Sequence, residues 1–209
     1  MKINLPNQLT LLRLALVPFF LIFNVMDNLY TRIFALIIFI VAALTDLYDG
    51  KLARKLGQVT VLGQFLDPLA DKFLIAAAFI SFVQLSEIHV SAWMVVLIIG
   101  REFLITGLRT LAVYKGRVLP AQPAGKFKTT SQITTIIFIL VFLVINAILQ
   151  TYGYEPGYFI NQDGVIGGLA WFMKGGPYWM TFLTTVLTVV SGYIYIRANL
   201  DLFEEGKPV

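Results

Sequence analysis

Residues 45–72 read TDLYDGKLARKLGQVTVLGQFLDPLADK and place Asp46, Asp49, Asp67 and Asp71 between two apolar runs. These four are a third of the chain's 12 acidic residues. A carboxylate at membrane depth costs about 3 kcal/mol even on a lenient insertion scale. Four of them in one short stretch need a common compensation, and any fold of this chain must supply it.

Their spacing indicates one. Asp46 and Asp49 are three apart, Asp67 and Asp71 four apart, so on helices each pair shares a face. Two facing helices would gather four like charges, which repel unless cations lie between them. Oxygen donors with no His or Cys nearby suit Mg²⁺, Mn²⁺ or Ca²⁺ rather than zinc. The plainer alternative pairs each Asp with a local base such as Lys51, Arg54 or Lys72, or lets it reach the surface. Gly50, Ala53 and Gly63 stand within a turn of the acids and would let a bulky ligand approach the backbone. Arg54 offers a planar fork for a phosphate. Acid pairs, small residues and an Arg together point to a metal-held phosphate or diphosphate.

The rest of the chain is built for lipid. It has 209 residues, 58% of them hydrophobic and 13% charged, against roughly 45–50% and 25% in soluble domains. The expectation is an all-α integral membrane protein, one domain over residues 1–209. Apolar cores near 10–26, 33–44, 63–85, 91–114, 130–149 and 178–196 approach the ~20 residues that a spanning helix needs. The second continues helically into the motif, to about residue 56. Pro6 is placed to start a short N-terminal interfacial helix, and the 150–176 stretch reads as a long outward loop. Cysteine is absent, which removes disulfides and thiolate metal sites. The single His, His89, reads as an exposed loop residue.

Net charge is +4, and most bases lie in short segments between apolar runs. That fits anionic headgroups or phosphorylated substrates rather than nucleic acid. The positive-inside bias then puts both termini, and the Asp cluster, on the cytoplasmic side of a six-transmembrane-helix bundle. Only Arg32 and Lys174 fall clearly outside.

The pattern Asp46-x-x-Asp49-Gly50-x-x-Ala53-Arg54, eight residues, Gly63-x-x-x-Asp67-x-x-x-Asp71 resembles the signature of the CDP-alcohol phosphotransferases at every fixed position. The resemblance implies that Asp46, Asp49 and Asp67 hold divalent cations, Mg²⁺ or Mn²⁺ and two in number. It implies that Asp71 takes the proton from the attacking hydroxyl and also touches metal, two roles that the sequence does not separate. It puts Gly50, Ala53, Arg54 and Gly63 in the nucleotide pocket. Pro6-Asn7-x-x-Thr10-x-x-Arg13 is similar to a family element near the nucleotide, so Asn7 and Thr10 join that set. The same residues also read as a helix N-cap plus an interfacial anchor.

Arg101-Glu102 is an intramembrane pair of charges, and Glu102 shares a face with Arg109. Arg109, Arg117, Lys126 and Lys128 gather where the fourth and fifth spans meet the cytoplasm. Beyond the positive-inside bias, they suit an anionic acceptor such as glycerol 3-phosphate. NLPNQLTLLRLALVPFF, REFLITGLR and GKFKTTSQ resemble the phosphatidylglycerophosphate synthases of bacteria. That likeness implies phosphatidyl transfer from CDP-diacylglycerol to glycerol 3-phosphate, with CMP released, in the bacterial cytoplasmic membrane. It also implies a homodimer among membrane lipids. Two other readings stay open: another acceptor, as in cardiolipin or inositol-phosphate synthesis, and a divalent-cation transporter using the four Asp as its path.

Overall fold

The computed structural model describes the backbone of residues 5–56, 61–117, 123–153 and 165–200. It describes side chains over 8–45, 69–70, 72–117, 127–153 and 175–200. These residues form six α-helices: α1 Leu5–Val25, α2 Leu29–Leu56, α3 Val61–Val83, α4 Ala92–Tyr114, α5 Pro123–Thr151 and α6 Val165–Arg197. No strand occurs among the described residues.

Among the described residues, three stretches are long and apolar enough to cross a membrane: Gln8–Val25, Phe127–Thr151 and Gly175–Arg197. In α2 and α3 the uninterrupted apolar parts are shorter, Leu29–Thr45 and Lys72–Val83. At 23 residues and 1.5 Å per residue, α4 measures about 35 Å, more than the ~30 Å of a hydrocarbon core.

The core lies among α1 to α5. Phe20, Phe39, Phe79, Phe82, Ile98 and Leu143 are buried in one cluster. Phe20 and Phe39 lock α1 to α2 with ring centroids 5.8 Å apart. Without a hydrophobic drive between helices in lipid, small and polar residues carry much of the specificity. Asn24 Nδ2 donates to Ser81 Oγ at 2.8 Å, joining α1 to α3. Thr135 and Thr184 share a hydroxyl hydrogen bond of 2.7 Å between α5 and α6.

Two expectations are corrected. The separate interfacial helix is absent among the described residues, because α1 runs unbroken from Leu5 to Val25. Pro6 stands in its first turn, where a missing N–H costs nothing. The long 150–176 loop is also shorter than read. Residues 165–176 belong to α6, while 154–164 lie outside the described residues. A sixth span over only 178–196 would put Gly175-Gly176-Pro177 outside the helix. Instead α6 continues through Pro177, and Gly176 lets α5 come close: a Cβ there would sit 2.8 Å from Phe138 Cζ. His89 is exposed, as read, with its ring 5.9 Å from that of Tyr178.

Candidate functional site

The Asp motif falls on two consecutive helices. Asp46 and Asp49 lie in the last three turns of α2, and Asp67 and Asp71 in the first three turns of α3. Counted from the 57–60 link, Asp49 is seven residues before the end of α2 and Asp67 six after the start of α3. Asp46 and Asp71 are each ten residues away. At 1.5 Å per residue the first two stand about 10 Å from the link and the second two about 15 Å. The two helices are in contact. The side chains of all four acids lie outside the described residues, as do those of Asn7, Ala53, Arg54 and Lys126 and the surroundings of Gly50 and Gly63. Among the described residues, no group of three His, Cys, Asp or Glu is placed to hold a metal.

The donor set itself fits a hard divalent cation. It is all carboxylate, the chain has no Cys, and its single His lies in the turn between α3 and α4, beside the ring of Tyr178.

On α1, Thr10 and Arg13 are both fully buried. Asn7 lies inside the helix rather than ahead of it. A helix N-cap with an exposed interfacial anchor therefore does not describe these positions. Thr10 and Arg13 are interior polar groups that share one helical face.

A described polar cluster joins α3, α4 and α5 beside the motif. Glu102 of α4 accepts from Lys128 of α5 and from Arg101 Nη1 at 3.3 Å. Lys72, next in sequence to Asp71, donates to Thr106 Oγ1. Thr106 donates in turn to the Glu102 carbonyl at 2.7 Å. Buried charges are tolerated only when paired and hydrogen-bonded in this way.

The remaining bases are spread. Arg109 Nε donates to Tyr195 Oη of α6 at 3.3 Å, with its guanidinium 5.5 Å over that ring. Arg117 stands just past α4, fixed by the helix end: its N–H donates to Ala112 O at 2.8 Å and that of Gly116 to Val113 O at 2.9 Å. Gly116 has φ +73°, the left-handed position that such a C-terminal motif requires. Two residues of this region escaped sequence reasoning: Tyr195, the partner of Arg109, and the buried Gln132. Gln132 is four residues after Lys128 and hence on its face, which is the signal that could have found it.

The CDP-alcohol phosphatidyltransferase model matches residues 3–174. The chain belongs to that family. Curated relatives named CDP-diacylglycerol–glycerol-3-phosphate 3-phosphatidyltransferase extend the match. The one from Bacillus subtilis (strain 168) is 43% identical over 150 residues, 66% of this chain and 77% of its own length. The one from Rickettsia bellii (strain RML369-C) is 32% identical, covering 96% of this chain and 97% of its own. The one from Escherichia coli (strain K12) is 38% identical, covering 98% and 100%. The CDP-alcohol phosphatidyltransferase match takes in all four Asp and the whole α3–α4–α5 polar cluster.

Proposed function

We propose that this protein transfers a phosphatidyl group from CDP-diacylglycerol to glycerol 3-phosphate, giving phosphatidylglycerophosphate and CMP. The observation that carries the reading is full-length similarity to relatives that bear that activity in their names, over 98% of the chain in one case. Purified protein given both substrates and Mg²⁺ or Mn²⁺ should release CMP, and no release under those conditions overturns it.

A hydroxyl of glycerol 3-phosphate attacks the phosphorus joined to diacylglycerol. A new P–O bond forms, the bond to CMP breaks, and the hydroxyl proton passes to a base. Asp46, Asp49 and Asp67 would hold divalent cations, with Asp71 as a further ligand. When bound, such ions neutralise diphosphate charge and stabilise the transferring phosphoryl group. Asp71 accepts the proton, a role worth about 10²–10⁴ in rate for a positioned base. Arg54 forks onto phosphate oxygens, while Gly50, Ala53 and Gly63 leave room for the nucleotide. Asn7 and Thr10 approach it from α1. Arg109, Arg117, Lys126 and Lys128 bind the acceptor's phosphate. A negative acceptor accounts for so many bases at one membrane face, where an uncharged alcohol would not.

The same reading makes residues 1–209 one membrane domain with six spans. Both termini and the Asp cluster face the cytoplasm of a bacterial cell, as the Lys and Arg distribution supports. It is a homodimer by resemblance to the family.

A further inference from the structure

A small polar cavity lies between α3, α4 and α5, lined by Lys72, Glu102, Lys128, Thr129 and Gln132 among apolar neighbours. On α3 its lining runs from Lys72, next in sequence to Asp71, to Ile75 and Ala76. Its free volume is about 20 Å³, enough for a single water-sized group and too little for a tetrahedral phosphate. Its charged walls are already engaged: Lys128 with Glu102, and Lys72 with Thr106. Gln132 differs. It is fully buried, and among the described residues neither Nε2 nor Oε1 has a hydrogen-bond partner. A buried amide is destabilising in that state unless a further group meets it.

Such a group must both donate and accept, because the amide offers NH₂ and C=O. It must also be about the size of one oxygen. A water or an alcohol hydroxyl meets both conditions, whereas a phosphate is too large. We propose that Gln132 is a specificity-determining residue that reads the non-reacting hydroxyl of the acceptor alcohol, in a pocket whose wall includes Lys128, one of the bases assigned to its phosphate. This rests on the transferase reading above. With glycerol 3-phosphate as acceptor, C1 carries the attacking hydroxyl, C3 the phosphate, and C2 the hydroxyl that Gln132 receives. The amide supports neither bond-making nor proton transfer; it fixes which alcohol is held and how.

The test compares glycerol 3-phosphate with 3-hydroxypropyl phosphate, which lacks the C2 hydroxyl, by CMP release from the full-length protein in detergent. A site built to hydrogen-bond a hydroxyl rejects the analogue without it by about 10²-fold or more in kcat/KM. Gln132→Leu keeps the volume and removes both polar groups. It should collapse that preference to within about threefold, mainly through loss on glycerol 3-phosphate. Gln132→Glu, the same size and still an acceptor, should keep part of the preference, and serves if the Leu variant does not fold. An equal loss on both alcohols would mean that Gln132 holds only a structural water, and would overturn the proposal. So would a wild type that does not distinguish them. A wild type that turns over neither alcohol sinks the transferase reading, and this one with it. If a different phosphorylated polyol is used instead, only the choice of acceptor falls, and the same deoxy comparison on that polyol decides Gln132.

Discussion

Glu102 of α4 and Lys128 of α5 form an ion pair in which both side chains are largely buried. The same carboxylate also accepts from Arg101 at 3.3 Å. One acid therefore neutralises two bases from two helices. Glu102→Ala should remove this carboxylate from both cations and destabilise the fold by about 3 kcal/mol. Adding Lys128→Met to that variant should recover part of the loss. Thermal melts of the single and double variants check this, and strictly additive losses would exclude the coupling.

Asp71→Asn should lower CMP release by about 10²–10⁴-fold while leaving the melting temperature near wild type. Nucleotide binding, read as the shift in melting temperature with added CDP-diacylglycerol, should persist. Wild-type turnover in this variant would remove Asp71 from the role of base.

Arg109→Ala should raise the KM for glycerol 3-phosphate more than that for CDP-diacylglycerol. Tyr195→Phe separates binding from positioning. It keeps the ring under the guanidinium and loses only the 3.3 Å hydrogen bond, worth about 1 kcal/mol. Its effect on the acceptor KM should be correspondingly small. Equal effects of Arg109→Ala on both substrates would place that arginine elsewhere.

Glu87, in the turn between α3 and α4, pairs with the buried Arg32. Burial pushes its carboxyl above the usual value of 4.5, and Arg32 offsets this only in part. A raised folded value means that the folded chain holds this proton more tightly than the unfolded one. Its stabilising contribution is therefore full below about pH 4.5 and fades as pH rises through the raised value. Glu87→Gln cannot titrate. Measured against wild type from about pH 4 to about pH 7, the melting-temperature difference should drift in favour of Glu87→Gln. A flat or opposite drift would refute the assignment.

Six helices were legible because each apolar run has one long period and polar punctuation. The acid motif was legible because carboxylates inside such runs are conspicuous. What stayed hidden depends on partners far along the chain. Gly175-Gly176-Pro177 looks like a loop locally, yet Gly176 is the notch against which Phe138, 38 residues earlier, rests. Arg13 looked like an anchor at the lipid surface, but the packing of α1 on α2 and α3 buries it. Glu102 announced itself as a charge in an apolar span. Its partner Lys128 did not, since nothing local distinguishes it from Lys126.

Between Gly175 and Ile196, α6 carries no charged side chain, yet two arginines of α4 lean on it. Arg101 lies across Gly192, where a Cβ would come within 2.9 Å of its Cγ, and donates to Ser191 Oγ at 3.2 Å. Arg109 rests on Tyr195. During synthesis, α4 emerges from the ribosome long before this sheath exists. Until α6 follows, Arg101 has its neighbour Glu102, but neither guanidinium has the support of α6. A later stretch of the chain thus completes the packing of two cations made earlier.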